Sequence, residues 1–457
     1  MPPHHIRAMV MRHRTRHEAS RWGLYVIAAL LLVIVAFAIF AWRPSIEAVT
    51  PPARDSFDAN IVQRGAKLAA VGNCYSCHTA SAGPVYAGGV AVPTPFGTIY
   101  STNITPDPET GIGTWSESAF DRAMRQGVSR NGSHLYPAFP YDHFTQLSDD
   151  DLKALYAFFM TRRPVTTQAP DNDLNFPLGF RPLLAGWKLL YLDDQRFVPD
   201  SAQSADWNRG AYLVRSLGHC SACHTPRNVL GAEDGKQYFG GGEAEGWYAP
   251  ALNANSPSPH PWTTETLTAY LSTGLAPNHA IAAGPMQEVV ATLKNADEQD
   301  RHAVAVYVMS YLAQGQDAQQ RRAQKASERA ALGTLSEAQP SAGAGAVDDE
   351  AMMKLGASVY ADACARCHDK GRQTSSGGAL PMPLAIAVYD PDARNLIHII
   401  RDGVVSPVEQ AGRIMPAFAE ILTDEQLSAL VAYLRRYAAD APPWPDVAAT
   451  IKEIKSP

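Results

Sequence analysis

The sequence predicts a mainly α-helical chain with three similar domains in tandem behind one N-terminal transmembrane helix. Three observations support this fold class: one uncharged apolar stretch near the N-terminus, a five-residue cysteine motif that occurs three times, and a helical pattern repeated around each motif. The length of 457 residues fits about three domains of roughly 150 residues each. Hydrophobic residues make up 46% of the chain and charged residues 18%, which is typical of globular domains.

The apolar stretch runs from Gly23 to Trp42 and is long enough to cross a bilayer as a helix. Several arginines precede it, so the positive-inside rule places the N-terminus in the cytoplasm and the remaining chain on the periplasmic side of a bacterial inner membrane. A cleaved secretory signal is the alternative, because Ala36, Phe37 and Ala38 have the small-x-small form of a cleavage site. The length of the stretch favours retention, and both interpretations export the rest of the chain.

Charge and cysteine content argue against two classes of protein. The net charge of -6 gives no sign of nucleic-acid affinity. Six cysteines are too few for a disulfide scaffold in a chain of this length, so their spacing has to be interpreted as ligand or attachment chemistry.

All six cysteines belong to a C-x-x-C-H motif, present as CYSCH at 74–78, CSACH at 220–224 and CARCH at 364–368. In this motif the two thiols form thioethers with haem vinyl groups, and the adjacent histidine binds the iron. A redox dithiol or half of a zinc site does not explain a histidine after every second cysteine. The sequence therefore predicts three haem c groups, attached to Cys74 and Cys77, Cys220 and Cys223, and Cys364 and Cys367, with His78, His224 and His368 as proximal ligands.

A helical pattern also repeats around each motif. A stretch with one glycine precedes each motif, and Gly65, Gly210 and Gly356 would allow another helix to pack closely. An amphipathic helix closes each repeat and carries a small-aromatic pair that we expect to cross the first helix. This arrangement resembles the cytochrome c fold. The three pairs are Ala157-Phe158, Ser310-Tyr311 and Ala432-Tyr433.

A low-spin haem needs a second axial ligand, usually methionine, whose thioether favours ferrous iron. Each repeat has a helix that ends at a glycine, at Gly127, Gly274 and Gly403. Counting twelve residues onward reaches Phe139, Met286 and Met415, and we therefore predict Met286 and Met415 as the distal ligands of the second and third haems.

The first repeat breaks this pattern, because a phenyl ring cannot bind iron. The nearest donors are His134 and His143, of which His143 is preferred and His134 is the alternative. Met124 and Met160 are more remote candidates. Both histidines could instead be packing residues beside a five-coordinate iron. If a histidine binds, we expect the first haem to have the lowest potential of the three.

The predicted organisation follows from these repeats. A stretch near Phe176 is apolar enough to touch a membrane or a partner, but Arg181 and Lys188 argue against a second span, and interdomain packing is favoured. An Ala-, Gln- and Ser-rich linker joins the last two domains, and we expect it to be a strap on a subunit surface rather than a free tether. The predicted segments are a cytoplasmic N-terminus at 1–22, a transmembrane helix at 23–42, domains at 51–195, 196–314 and 350–440, a linker at 315–349 and a tail at 441–457.

Three long stretches resemble the triple-haem cytochrome c subunits of bacterial membrane-bound periplasmic dehydrogenases. These stretches are PTPFGTIYSTNITPDPETGIG from Pro93, FRPLLAGWKLLYL from Phe180 and RGAYLVRSLGHCSACHTPRN from Arg209. Members that serve alcohol or gluconate dehydrogenases have methionine at the position of Phe139 and usually a cleaved signal. The PAFPYDHF stretch and the N-terminal anchor are more similar to the cytochrome subunits of molybdopterin-dependent aldehyde dehydrogenases.

The resemblance implies an electron-transfer subunit without a catalytic site of its own. It implies as partners a molybdopterin-type catalytic subunit, an iron-sulfur subunit and ubiquinone in the membrane. This choice of partner rests on analogy with the family and not on the chemistry of the site. Two other functions stay open from the residues: a haem enzyme that uses an open first haem, which Phe139 would permit, and a haem subunit of a terminal oxidase.

Overall fold

A computed structural model describes residues 4–276, 279–335, 350–369, 379–405 and 415–455, with side chains in the first helix described at Trp22 and from Leu24 onward. The described chain is mainly helical. Its strands form small antiparallel sheets: β1 (Ala91–Thr94), β2 (Gly97–Tyr100) and β3 (Asp173–Leu174) in one sheet, β4 (Gly242–Ala244) with β5 (Trp247–Ala249), and β6 (Leu275–Ala276) with β7 (Ala280–Ile281).

The first helix, α1, runs from His4 to Ala41 and includes the predicted membrane segment. Its window Leu24–Ala41 has a mean hydropathy of 3.0 and is long and apolar enough to cross a membrane. The large apolar side chains of this window, among them Leu24, Leu32 and Ile39, are exposed. A helix that exposes its apolar side chains along its length needs an apolar environment around it.

The helices of the three repeats follow the same order in each. In the first repeat they are α2 (Ala59–Val71), α3 (Cys74–His78), α4 (Glu117–Gln126), α5 (Tyr141–Phe144), α6 (Asp149–Met160) and α7 (Leu183–Tyr191). In the second they are α8 (Ala205–Arg215), α9 (Ser221–His224), α10 (Thr264–Thr273), α11 (Pro285–Leu293), α12 (Glu298–Leu312) and α13 (Gln316–Ala331). In the third they are α14 (Glu350–Val359), α15 (Ala365–His368), α16 (Arg394–Asp402), α17 (Asp424–Ala438) and α18 (Val447–Lys455).

Side-chain caps explain where the closing helices begin. Ser148 accepts a hydrogen bond from the backbone N–H of Asp151 at the start of α6. Thr423 and Gln426 form a reciprocal capping box at the start of α17. These caps satisfy amide groups that have no partner inside the helix.

The first and closing helices of every repeat cross at a glycine, as the sequence predicts. A methyl group added at Gly65, Gly210 or Gly356 would collide with the facing helix. The colliding groups are the carbonyl and Cβ atoms of Ala154 and Phe158 in α6, Ala303 and Tyr307 in α12, and Ala429 and Tyr433 in α17. The predicted aromatic was correct at Phe158 and Tyr433 but wrong in the second repeat. There Tyr307, one turn before Tyr311, makes the crossing.

The buried apolar residues form two clusters. One cluster joins the cores of the first two repeats, and it includes Leu68, Leu155, Leu213 and Val308. The other belongs to the third repeat and includes Leu430. The third repeat therefore has a core of its own, whereas the first two share one.

The linker and the tail are both attached to the domains. Arg322 of α13 donates to the carbonyl of Ser256 in the second repeat at 2.7 Å, and Arg329 pairs with Asp440 beside the third at 2.9 Å. Helix α13, in the segment predicted as the linker, therefore contacts both the second and the third repeat, and residues 336–349 lie outside the described part. Ile451 of α18, in the segment predicted as the tail, is buried in the core of the third repeat.

Candidate haem sites

Each cysteine motif lies in a short helical turn directly after the first helix of its repeat. These turns are α3, α9 together with the preceding Cys220, and the segment of Cys364 with α15. All six cysteines are free thiols. Two thiols and a neighbouring imidazole are therefore presented together at three places, which is the donor set that covalent haem attachment requires.

Four of the six thiols lack the lowered pKa of a redox dithiol. Burial raises the pKa of Cys74 and Cys220 to about 12, and it raises the pKa of Cys77 and Cys364 to about 11. Catalytic dithiols have a lowered thiol pKa, because the thiolate is the reactive form. This difference favours attachment over disulfide exchange.

The three motif histidines share one hydrogen bond. Nδ1–H of His78, His224 and His368 donates to a backbone carbonyl oxygen at 2.7, 2.7 and 2.8 Å. This bond assigns the ring proton to Nδ1 and leaves the lone pair on Nε2, as an iron ligand requires. Burial lowers the pKa of all three rings, which keeps them neutral at pH 7. The accepting carbonyls belong to Thr102, Pro250 and Leu380.

The distal loops of the first two repeats have the same backbone register. The N–H of Leu135 donates to the carbonyl of Gly127 at 2.7 Å, and the N–H of Ala282 donates to that of Gly274 at the same distance. Phe139 lies four residues after Leu135, and Met286 lies four residues after Ala282. The structure thus brings Phe139 to the position that Met286 occupies in the second repeat. Met286 is half-buried and packs against the shared core.

Met415 is held by a different pairing in the third repeat. It forms an antiparallel β-bridge with Val404, and Val404 directly follows Gly403, the glycine at the end of α16. Its side chain is half-buried and packs against the core of the third repeat. Both predicted methionine ligands therefore lie at the edge of the core of their own repeat.

His143, the preferred distal ligand of the first haem, has hydrogen-bond partners at both ring nitrogens. Its Nδ1–H donates to the carbonyl of Arg215 at 3.0 Å, and its Nε2–H donates to Glu233 at 2.7 Å. Both acceptors belong to the second repeat, so neither ring nitrogen is left for iron. Burial alone would lower the pKa of His143, but the Glu233 hydrogen bond and the charge of Asp142 outweigh it and raise the pKa. His143 therefore ties the first repeat to the second.

His134, the alternative ligand, is also engaged through both nitrogens. Its Nε2–H donates to the carbonyl of Ala41, the last residue of α1, at 2.8 Å. Its Nδ1 accepts from the ammonium of Lys188 at 3.0 Å. The more remote Met124 and Met160 are buried in the shared core. The buried contact of Lys188 was not predicted from the sequence, because lysine side chains are mostly solvent-exposed.

The second repeat lies between the other two. The hydroxyl of Thr292 in α11 donates at 2.9 Å to the side chain of Asn73, next to the first cysteine motif. On its other side, Trp247 stacks on His398 of α16 with ring centroids 4.5 Å apart. The second repeat therefore contacts both the first attachment motif and α16 of the third repeat.

Comparisons with known proteins identify the class of these domains. Residues 62–163 match the family described as cytochrome c, and residues 351–434 match the family described as cytochrome c oxidase, cbb3-type, subunit III. Over 430 residues the chain is 36% identical to the gluconate 2-dehydrogenase cytochrome c subunit of Pantoea cypripedii, which covers 90% of each chain. The chain belongs to the family of dehydrogenase cytochrome c subunits. The resemblance predicted from its motifs is thereby confirmed.

Two other similar proteins belong to dehydrogenases with different names. The chain is 43% identical over 445 residues to a component of the nicotinate dehydrogenase of Pseudomonas putida, and it spans 96% of its own length but 36% of that relative. It is 32% identical over 412 residues to the cytochrome c subunit of alcohol dehydrogenase (quinone) of Gluconobacter oxydans, with 87% and 83% of the two chains covered. As a dehydrogenase cytochrome c subunit, the chain is an electron-transfer component that binds haem c.

Proposed function

We propose that this dehydrogenase cytochrome c subunit carries three covalently attached haems. The observation that supports this most directly is the bond from Nδ1–H of each motif histidine to a carbonyl, which occurs three times with nearly the same length. The haem groups, when bound, supply one-electron redox centres. The chain holds them through Cys74, Cys77, Cys220, Cys223, Cys364 and Cys367 and binds their irons through His78, His224 and His368, with Met286 and Met415 as second ligands at the second and third sites.

The first site differs from the other two in having no protein ligand on its distal side. Phe139 has no donor atom, and the ring nitrogens of His134 and His143 hydrogen-bond other groups. This favours a five-coordinate iron at the first site. The same observation supports a second candidate function, binding of a small ligand such as carbon monoxide at that iron.

The partner of the chain is a dehydrogenase catalytic subunit. We prefer an aldehyde-oxidising, molybdopterin-type subunit with an iron-sulfur subunit, because the PAFPYDHF stretch resembles that branch. Alcohol and gluconate dehydrogenases are the alternatives, and the names of two relatives support them. Ubiquinone is the proposed acceptor, supported by the quinone in the name of the alcohol dehydrogenase relative.

The chain is anchored by α1 and places its domains on the periplasmic side of the inner membrane. The window Leu24–Ala41 supports the span. The arginines before it support the orientation through the positive-inside rule. The carbonyl at the end of α1 accepts a hydrogen bond from His134, so the first domain sits directly on the anchor.

Purification in mild detergent tests the proposal. We expect three haem c per chain by pyridine haemochrome assay, together with a catalytic subunit that contains molybdenum and a subunit with iron-sulfur clusters. A flavin or quinoprotein subunit in the same complex would replace the aldehyde-type partner. Copurification with a multi-span integral oxidase subunit would contradict the proposed function.

A further inference from the structure

Helix α7 exposes leucine side chains and buries its lysine. Lys188 is 9% exposed, whereas the next residues, Leu189 and Leu190, are 71% and 67% exposed. A surface helix in water has the opposite arrangement, with leucines facing the core and lysines facing the solvent. The inverted polarity of α7 indicates that its outer side faces an apolar medium.

Contacts on the inner side of α7 fix this orientation. The ammonium of Lys188 donates to the carbonyl of Gly127 at 2.6 Å and to Nδ1 of His134 at 3.0 Å. It also lies over the ring of Tyr141, 4.7 Å from the centroid. Rotating α7 to hide its leucines would take this donor away from the buried Nδ1 of His134 and from the carbonyl of Gly127. The leucines are therefore held outward.

Neighbouring segments extend the apolar surface of α7. Phe176 and Phe180, just before the helix, are exposed, the former to 97%. The indole N–H of Trp187 donates to the carbonyl of Leu230 at 3.0 Å, which ties a loop of the second repeat to α7. We call the resulting surface the apolar rim, and its residues are Phe176, Phe180, Leu189, Leu190, Val229 and Leu230.

The apolar rim stands next to the membrane segment. A methyl group added at Gly186 of α7 would lie 4.0 Å from the ring of Phe37. Phe37 lies inside the apolar window Leu24–Ala41, four residues before its end. At a rise of 1.5 Å per residue this is about 6 Å below the end of the window. Helix α7 therefore reaches the depth at which interfacial helices bury their apolar face.

We propose that the apolar rim inserts into the lipid interface of the bilayer that α1 spans, so that α7 is a second, in-plane membrane contact. This inference rests on the proposed anchor. The continuity of the rim with the apolar window of α1 selects lipid over a partner protein as its occupant. The contact holds the distal loop of the first repeat at the membrane surface, because Lys188 and His134 connect that loop to both α7 and α1.

Nitroxide accessibility in the haem-loaded full chain tests this contact. The six native cysteines are used in haem attachment, so a cysteine introduced by Leu190→Cys is the labelling site. Two matched positions serve as references: Ile34→Cys in the window of α1, and Lys153→Cys on the exposed side of α6. Each labelled protein is reconstituted into vesicles of phosphatidylcholine and phosphatidylglycerol. Collisions with oxygen, which dissolves in lipid, are compared with collisions with a water-soluble nickel complex.

We expect the label at 190 to resemble the label at 34, with a ratio of oxygen to nickel collisions several-fold above that at 153. If 34 lies in lipid but 190 resembles 153, the inference is wrong and the anchor stands. If 34 also resembles 153, the anchor itself is wrong. A label at 190 that contacts water in vesicles and is shielded only when the catalytic partner is added would identify a protein surface and overturn the lipid contact. Haem content and visible spectrum equal to wild type show that each variant is folded.

Discussion

The first and second domains share one backbone frame around the distal position and differ in the side chain that this frame carries. In both, an N–H eight residues after the glycine closes the loop onto that glycine's carbonyl, and the distal residue follows four positions later. Phe139 fills this position in the first domain, and Met286 fills it in the second. A repeated fold therefore fixes where a distal ligand would be, while its chemistry is free to change from one repeat to the next.

The surroundings of the two loops differ as well. In the first domain His134 binds the end of α1 and His143 binds the second domain, so these histidines connect neighbouring segments. The corresponding loop of the second domain instead contacts the third, through Gln287 and the carbonyl of Val405 at 3.4 Å. Histidines close to a haem motif are thus used here as structural ties.

The largest effect is expected when the distal residue of the second repeat is changed to that of the first. Met286→Phe should remove the thioether ligand and open the second iron, because a phenyl ring cannot replace it. A carbon monoxide titration of the reduced protein should then rise from one to two bound molecules per chain. Met309→Leu, a change at a partly buried methionine of the same domain, is the control. If Met286→Phe binds no more carbon monoxide than the wild type, Met286 is not a ligand of the second iron.

The converse change sharpens the same comparison. Phe139→Met places a thioether at the equivalent position, and the shared loop register should let it bind the first iron. We expect the midpoint potential of the first haem to rise, and carbon monoxide binding to become slow or absent. Redox titration with stopped-flow carbon monoxide mixing measures both. A variant that still binds the gas rapidly would show that the two loops are not equivalent.

The glycine crossings are the feature that all three repeats share. Gly210→Ala should push α8 away from α12, because the new methyl group meets the carbonyl of Ala303. Overpacking of this kind typically costs about 1–3 kcal/mol. Thermal unfolding of the haem-loaded protein measures the loss. Gly235→Ala is the control, since nothing lies within 4 Å of the added methyl group, and an equal loss in both variants would contradict the crossing.

A smaller effect is expected at the contact between the first two domains. The raised pKa of His143 means that its stabilising contribution is present below its unfolded value of 6.5 and is lost as the pH rises through the raised pKa. Burial alone would raise the pKa of Glu233, but the hydrogen bond and charge of His143, together with Ser221 and Arg227, outweigh burial and lower the pKa. That contribution is therefore lost as the pH falls through the lowered value.

Glu233→Gln should therefore weaken the contact by about 1–3 kcal/mol. The loss of stability above pH 6.5 should also begin at a lower pH, because His143 loses its charged partner. Unfolding midpoints measured from pH 5 to pH 9 in both proteins test this. Parallel pH profiles for wild type and variant would show that His143 is not the titrating group.

Much of this fold follows from the sequence because its signals are local. The cysteine motifs, the crossing glycines and the capping box at Thr423 each lie within a few neighbouring residues. The sequence predicts Tyr311 at the second crossing, and spacing alone does not separate it from Tyr307, which lies one turn earlier on the same helix. The structure shows that Tyr307, and not Tyr311, packs against Gly210.

The residue roles that could not be predicted depend on contacts between residues that are far apart in the sequence. The carbonyls that orient the motif histidines come 24, 26 and 12 residues later, a separation that no fixed motif encodes. His143 was predicted as a ligand from its distance to Phe139 along the sequence. Its partner Glu233 is 90 residues away, so the competing hydrogen bond is visible only after folding.

The spin states of the three ferric haems test the central claim most directly. Electron paramagnetic resonance of the oxidised full chain, supported by resonance Raman spectroscopy, counts high-spin and low-spin iron separately. A first haem without a protein ligand on its distal side predicts one high-spin and two low-spin haems per chain. Three low-spin haems, with no change in Phe139→Met, would contradict the account and require another protein ligand at the first site.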